Sequence, residues 1–231
     1  GKGNNGGDGF AAALDLKIKN YEPVIFSLYT EKNLSDDTLY FYRKCLHHNI
    51  HIKNKLDTTL VENKTSVIID CILGIGFEGE LRAEIQNWTK FINKFKNIVS
   101  ADIPTGVQSN NGLVSKNAVK SSNTIAIGKA KLGSAILPGK TYSGKIIPVD
   151  IDFVKGKKFD GINWNQTETN YISSIIPKTC DMTHKYKQGK VMIIAGSVGM
   201  TGAACLASIA ALRSGAGLTV TCAPSSLNDI Y

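Results

Sequence analysis

The sequence GKGNNGGDG at residues 1–9 runs directly into the alanine-rich stretch FAAAL. Five glycines in nine residues disfavour a helix, because glycine loses more backbone freedom on ordering than any other residue. We therefore expect a loop here, followed by a helix over about residues 9–20 that the alanines favour. A glycine-rich loop leading into a helix N-terminus is typical of an anion site. Beside such an anion, Asn4, Asn5 and Asp8 offer oxygens for a cation or a sugar hydroxyl.

The same glycines allow a second interpretation. Gly1, Gly3 and Gly6 fit the dinucleotide fingerprint G-x-G-x-x-G, and Glu31 follows a predicted strand roughly where a ribose-binding acid is expected. This interpretation would make the protein an NAD-dependent dehydrogenase of Rossmann type. It leaves the two neighbouring asparagines unexplained, and a single match of this kind is weak.

Composition limits the class of protein. A chain of 231 residues suits one to two domains, and 42% hydrophobic residues are enough for a packed core. No apolar run approaches the ~18 residues of a membrane span. The net charge of +8 fits anionic small molecules or nucleic acid. Because the lysines are mostly spread singly, we interpret the charge first as a solvated surface and second as steering of phosphates.

The cysteines indicate a reducing compartment. They are odd in number, scattered and without a C-x-x-C pair, which favours free thiols in a cytoplasmic protein. They are Cys45, Cys71, Cys180, Cys205 and Cys222.

Two histidines invite a metal hypothesis. His47 and His51 have the i, i+4 spacing of metal ligands on a helix, but no third ligand lies nearby in the sequence. We therefore favour a solvated helix end.

Two predicted strands each end in an aspartate. The apolar run at residues 67–69 is followed by Asp70, and the run at residues 98–101 is followed by Asp102. In parallel α/β sheets, ligands gather outside the carboxyl ends of the strands. We therefore expect both acids to face the same crevice as the segment Asn4–Asp8. Either acid alone could instead cap a helix.

The rest of the chain predicts an alternating α/β pattern. We expect further strands at 24–28, 123–128 and 145–151, the last at a sheet edge because of Pro148. Helices are predicted at about 34–49 and 83–96. A polar stretch at 156–181 suggests a linker. A second βαβ unit follows, with strands at 190–195 and 218–221 around a helix at 204–214.

Four stretches resemble a known family. The segment at residues 3–9, the segment at 70–82 and Asp-Ile-Pro-Thr-Gly at 102–106 are together similar to the NAD(P)H-hydrate epimerase family. The segment at 184–218 resembles the opening of ADP/ATP-dependent NAD(P)H-hydrate dehydratase, a ribokinase-like fold. The order of the two matches bifunctional bacterial nicotinamide nucleotide repair enzymes.

The resemblance implies a domain organisation. It implies a Rossmann-like parallel α/β epimerase domain at 1–155 that lacks its N-terminal part. A linker at 156–181 would then lead to the first βαβ unit of an incomplete ribokinase-like domain at 182–231.

The resemblance also implies site residues. Hydrated NAD(P)H would be bound by Asn4, Asn5, Gly6, Gly7 and Asp8, by the loop Gly74, Ile75, Gly76, Phe77, Glu78, Gly79 and Glu80, by Asp102, and in the second unit by Ala203. Asp102 would be the catalytic acid/base. A potassium ion would be held by Asn5, Asp70 and Thr105, an all-oxygen set suited to a hard cation. Thr105 stands where the family usually has serine, and Glu78 where a basic residue is common.

The implied activity is the interconversion of R- and S-NAD(P)HX. The parent chain would also dehydrate S-NAD(P)HX at the expense of ADP or ATP. We expect a small-molecule substrate, a cytoplasmic location, no nucleic-acid or membrane partner, and possible homo-oligomers. A non-catalytic binding protein on the epimerase fold is the remaining alternative.

Overall fold

The computed structural model describes residues 1–56, 67–151, 167–177 and 182–231. The chain divides into two compact units, Gly1–Trp164 and Asn165–Tyr231. Neighbouring strands in the described ranges pair in parallel, which confirms the parallel α/β class. No helix in these ranges has both the length and the apolar character needed to cross a membrane.

The glycine-rich segment forms the first turns of a helix rather than the predicted loop. Helix α1 spans Asn4–Ile18. Two of its glycines are sites of close approach: a Cβ at Gly6 would lie 2.1 Å from the carbonyl oxygen of Gly1, and one at Gly9 would lie 2.8 Å from Cβ of Cys71. Tertiary packing therefore overrides the low helix propensity of glycine, and the loop prediction is wrong.

The chain continues as a β–α–β unit with a two-stranded parallel sheet. Strand β1 spans Val24–Phe26, helix α2 Asp36–His47 and β2 His51–Lys53, with a short 3₁₀ helix, Glu31–Asn33, before α2. The predicted strand and helix are confirmed with shorter bounds. Helix α2 packs against α1 around a small core. This core consists of Phe10, Ala13, Cys45 and Ile50.

A four-stranded parallel sheet forms the larger part of the first unit. In spatial order its strands are β3 (Val67–Asp70), β4 (Asn97–Ala101), β5 (Asn123–Ile127) and β6 (Lys145–Val149). Helix α3 (Ala83–Ile92) connects β3 to β4, and the short helices α4 (Leu132–Ala135) and α5 (Lys140–Ser143) precede β6.

The order and register of this sheet place the site. Asp70 at the end of β3 lies opposite Ser100 of β4, so the two strands end at the same edge. The predicted edge position of β6, which carries Pro148, is confirmed within the described sheet. Helix α3 ends at Ile92, short of the predicted Lys96.

The second unit contains the predicted βαβ arrangement. Strand β7 (Lys190–Ile194) and β8 (Leu218–Cys222) pair in parallel, and α7 (Gly202–Arg213) connects them. A 3₁₀ helix, Ser225–Leu227, follows. The predicted linker contains a short helix, α6 (Thr169–Ile175). Its residues 156–166 and 178–181 lie outside the described residues.

Candidate active site

A cleft of about 960 Å³ opens at the carboxyl ends of β3, β4 and β5. Its walls come from the start of α1, the segment after β3, Asp102 directly after β4, and residues 127–131 at the end of β5. This is the edge where open parallel sheets bind ligands. Of the predicted site residues, those lining the cleft are Asn4, Asn5, Asp8, Gly74, Ile75, Gly76, Phe77, Glu78, Glu80 and Asp102.

The other predicted residues lie elsewhere. Gly6 and Gly7 are buried inside the first turns of α1. Gly79 is exposed, with a φ of 74° between two lining glutamates. Ala203 is an exposed residue near the start of α7 in the second unit. Asp70 and Thr105 are fully buried and do not line the cleft.

Asp102 lines the cleft, and only one of its carboxylate oxygens has protein partners in the described residues. Its backbone has a φ of 66°, the left-handed region that aspartate tolerates better than most residues. Oδ1 accepts hydrogen bonds from the backbone N–H of Ile127 at 3.1 Å and from the Lys131 ammonium. Oδ2 has no hydrogen-bond partner in the described part of the chain. One oxygen is therefore anchored, and the other is free to meet a ligand.

Lys131 is a site residue that the sequence analysis missed. Its Nζ forms the ion pair with Asp102 and also donates to the carbonyl oxygen of Ile127 at 2.8 Å. The two side chains of the ion pair are only 17% and 13% exposed. The sequence does contain a signal for Lys131. This lysine follows β5 by a few residues, and Asp102 directly follows the neighbouring strand β4.

Asp8 is a second carboxylate in the cleft. Partial burial raises its pKa above the ordinary value, and the nearby charge of Asp102 raises it further. The two carboxylates therefore interact electrostatically within one cleft. Because its pKa is raised, Asp8 holds its proton at a higher pH than a solvated aspartate does.

Asp70 lies beneath the cleft in a dense hydrogen-bond network, so the prediction that it faces the crevice is wrong. Oδ1 accepts from the Thr105 hydroxyl at 2.7 Å and the Ile72 N–H at 3.3 Å. Oδ2 accepts from the Ser100 hydroxyl at 2.8 Å and the Thr105 N–H at 2.9 Å. Burial raises the pKa of Asp70 above its ordinary value, and these hydrogen bonds partly oppose the rise.

Asn5 connects the cleft to this network. Its Nδ2 donates to the carbonyl oxygen of Leu73 at 2.9 Å, while the N–H of Leu73 donates to Thr105 Oγ1 at 3.0 Å. Asn5 Oδ1 is buried and has no hydrogen-bond partner among the described residues. An orphaned buried oxygen costs free energy unless another group binds it. The donor set of the predicted potassium site therefore fits a hard cation, with Asn5 offering the free oxygen.

The segment after β3 is tied to the rest of the unit by Glu80. Its Oε2 accepts from the Ser115 hydroxyl at 2.6 Å and from the Lys116 N–H at 3.1 Å, and these bonds lower the pKa of Glu80. Ser115 Oγ in turn accepts from the Leu81 N–H at 2.8 Å. Glu80 therefore fixes the loop, whereas Glu78 is exposed at the cleft.

Three further cations line the cleft. The side chains of Lys2, Arg82 and Lys129 make no hydrogen bond or ion pair with the residues that the structure describes, so these cations are available to an anionic ligand. In contrast, Glu31 does not line the cleft and pairs with Arg43 at 2.8 Å. The ribose-binding role that the dehydrogenase interpretation assigns to Glu31 is therefore not supported.

The histidine pair lies apart from the cleft. His47 ends α2, His51 begins β2, and both are exposed. Within the described ranges, no group of three or more His, Cys, Asp or Glu side chains is arranged to hold a metal ion.

The chain is similar in sequence to proteins that carry enzyme names. The bifunctional NAD(P)H-hydrate repair enzyme Nnr of Dictyoglomus turgidum is 31% identical, over 100% of this chain and 46% of the relative. The enzyme of the same name from Archaeoglobus fulgidus is 33% identical, over 100% of this chain and 46% of the relative. The chain thus spans about half the length of these relatives. The NAD(P)H-hydrate epimerase of Oenococcus oeni is 28% identical, over 65% of this chain and 71% of the relative.

The chain also matches a solved structure and a protein family. The crystal structure of yeast ynu0, YNL200c, matches with a TM-score of 0.50 and 26% identity, over 61% of this chain and 60% of the yeast chain. Residues 1–133, which carry the cleft, match the family described as YjeF-related protein N-terminus. Since that match covers more than half of the chain, the protein belongs to the YjeF-related protein N-terminus family.

Proposed function

We propose that this chain interconverts the R and S forms of hydrated NAD(P)H, as an isomerase of nicotinamide nucleotide repair. The observation that carries the proposal is Asp102, which offers one free carboxylate oxygen to a cleft large enough for a dinucleotide. The names of the relatives supply the substrate class.

The proposed chemistry needs one proton carrier. The substrate bears a hydroxyl on the ring carbon beside nitrogen. Asp102 first takes up a proton from solvent on Oδ2, the oxygen that is not paired with Lys131. It passes this proton to the hydroxyl, the C–O bond breaks, and the nitrogen lone pair forms a C=N bond as water leaves. Water then adds to the opposite face, the C–O bond forms again, and a proton returns to Asp102. Protons and electrons balance, and such proton transfer typically contributes about 10²–10⁴-fold.

The surrounding charges support binding of a dinucleotide. Lys2, Arg82 and Lys129 line the cleft, their side chains have no partner among the described residues, and the substrate's diphosphate carries the opposite charge. Asp8 is a second carboxylate of the same cleft, and partial burial together with the charge of Asp102 raises its pKa above the ordinary value. The remaining lining residues of the loop after β3 would contact the nucleotide.

We also propose a potassium ion held by Asn5, Asp70 and Thr105. The orphaned Asn5 Oδ1 supports this assignment, together with the buried carboxylate that its neighbours surround. When bound, the ion would offset the buried negative charge of Asp70. The chain's own contribution is to hold the segment after β3 through the bonds of Leu73 to Asn5 and Thr105.

For the second unit we propose the start of a ribokinase-like dehydratase domain, with domain limits of 1–155 and 182–231 and a linker between them. The β7–α7–β8 unit supports this, with Ala203 as a substrate contact. Dehydration of S-NAD(P)HX with ADP or ATP would be an activity of a longer chain. We also propose a cytoplasmic location, since the four described cysteines are free thiols.

The test is chiral chromatography of pure S-NADHX and R-NADHX incubated with the purified protein in potassium buffer, without ADP. We expect interconversion above the spontaneous rate, lost in Asp102→Asn and retained in Asp15→Asn. Asp15 is an exposed α1 residue that pairs with Lys19 outside the cleft. Absence of acceleration by well-folded wild-type protein would contradict the proposal, and an active Asp102→Asn variant would remove Asp102 from the mechanism.

A further inference from the structure

The Lys131 ammonium makes two hydrogen bonds, one to Asp102 and one to the end of β5. It donates to Asp102 Oδ1 and to the carbonyl oxygen of Ile127. The N–H of Ile127 donates to the same Asp102 oxygen. Two donors, the Lys131 ammonium and the Ile127 N–H, thus hold Oδ1, and the Ile127 carbonyl oxygen closes the set by holding the ammonium.

This closed set determines which oxygen of Asp102 is presented to a ligand. Rotation of the carboxylate would break both bonds to Oδ1 within a site where both side chains are less than one-fifth exposed. Without Lys131, a single hydrogen bond at 3.1 Å would remain to orient the carboxylate. The Asp102 backbone is itself fixed, because it directly follows β4 and its N–H donates to the Ile125 carbonyl oxygen of β5 at 2.7 Å.

A role in stability alone explains this arrangement poorly. A largely buried ion pair gains little net folding free energy, because removing two charges from water offsets most of their attraction. Orientation of a reacting group, in contrast, has a large effect on rate, since a misplacement of ~1 Å can cost about 10²-fold. In this ion pair, one oxygen of Asp102 is held by protein donors and the other has no protein partner among the described residues. Such an arrangement suits a carboxylate that must be oriented towards a ligand in the cleft.

We propose that Lys131 is a positioning residue, which holds Asp102 so that Oδ2 faces the substrate. The inference rests on the proposed epimerase function, because it assigns Lys131 to that reaction. Lys131 acts through Asp102 and transfers no proton itself. Its loss therefore lowers kcat and leaves substrate binding nearly intact.

The experiment compares kcat and KM for NADHX interconversion in the wild-type protein, Lys131→Ala, Lys131→Met and the matched surface control Lys140→Met. Lys140 is an exposed α5 residue outside the cleft. For Lys131→Ala we expect kcat to fall about 10²-fold with KM within about 3-fold of wild type. Ethylammonium ions added to this variant should restore part of kcat, because they can occupy the emptied position beside Asp102.

Each outcome separates this inference from the proposed function. If the wild-type protein shows no interconversion, the proposed function fails. The positioning role is wrong if the wild-type protein is active and the folded Lys131→Ala variant keeps the wild-type kcat, whether or not its KM changes. If Lys131→Ala does not fold, Lys131→Met decides, because methionine keeps most of the side-chain volume without the charge. A folded Lys131→Met variant with kcat lowered about 10²-fold supports the positioning role, and one with unchanged kcat, or with raised KM alone, overturns it.

Discussion

The buried network around Asp70 allows a quantitative prediction for Thr105→Val, with Thr105→Ser as its matched control. Valine keeps the volume of threonine but removes the hydroxyl that donates to Asp70 at 2.7 Å and accepts from the Leu73 N–H at 3.0 Å. Serine keeps the hydroxyl and loses one methyl group. The pair therefore separates hydrogen bonding from packing.

The magnitudes follow from the two bonds. A hydrogen bond to a charged group contributes about 1.5–3 kcal/mol, and leaving the Leu73 N–H without its partner adds about 1 kcal/mol. Above the folded pKa of Asp70, where its carboxylate is charged, we expect Thr105→Val to lower the free energy of unfolding by about 2.5–4 kcal/mol. Thr105→Ser should lower it by only about 1 kcal/mol, the value of one buried methyl group.

Urea unfolding followed by tryptophan fluorescence is the assay. Trp88 lies on α3 in the first unit, so its fluorescence reports on that unit. With a slope of about 2 kcal/mol per molar urea, the valine variant should unfold about 1–2 M earlier than wild type. Equal midpoints for the valine and serine variants would refute the argument from hydrogen bonding.

The pH dependence has a defined sign. The folded pKa of Asp70 is raised above its ordinary value of 3.8, so ionisation of Asp70 reduces stability as pH rises through the folded pKa. The Thr105 bonds stabilise the ionised form. The loss of unfolding free energy caused by Thr105→Val is therefore largest above the folded pKa of Asp70. This loss should shrink as the pH falls towards 3.8. A cost that grows on acidification would contradict this assignment.

Three further predictions concern α1, the loop after β3 and the cation. Gly9→Ala should lower the thermal midpoint, because overpacking against Cys71 at about 1–3 kcal/mol exceeds the helix gain of about 1 kcal/mol; Gly202→Ala, with no atom within 4 Å, should not. The stabilising effect of Glu80, whose folded pKa is lowered, should be complete above its ordinary value of 4.5 and lost as pH falls through the folded pKa. The difference in thermal midpoint between wild type and Glu80→Gln should therefore disappear in acid, and a constant difference would contradict this. Potassium chloride should stabilise wild type over choline chloride, by about 2.7 kcal/mol at one hundred times Kd, and should not stabilise Asn5→Ala; an equal shift in both would exclude Asn5 as a ligand.

The sheet could be predicted from the sequence because its strands are short apolar runs that end in polar residues. Val67–Asp70 and Asn97–Ala101 match the predicted runs closely, and their parallel pairing brings Asp102 to the cleft. The start of α1 could not be predicted in the same way. Glycine propensity favours a loop, and the close approaches of Gly1 to Gly6 and of Cys71 to Gly9 show why small residues occupy a helix there.

The details of the site depend on contacts that local patterns do not encode. Asp70 and Asp102 occupy equivalent places in the sequence pattern, yet one is fully buried and the other lines the cleft. The difference arises from Thr105 and Ser100, which surround Asp70 with donors, and from the left-handed backbone of Asp102. Lys131 was missed because its ion pair joins residues that are 29 positions apart.

The left-handed backbone at Asp102 also restricts how this position can be varied. Aspartate, asparagine and glycine occupy such a conformation readily, whereas other side chains cost about 1–2 kcal/mol there. Alanine or glutamate at this position would alter the course of the main chain as well as remove or move the carboxylate. Asparagine is therefore the substitution that isolates the chemistry. In mutational libraries, most substitutions at this position would therefore combine two effects, a strained backbone and the loss of proton transfer.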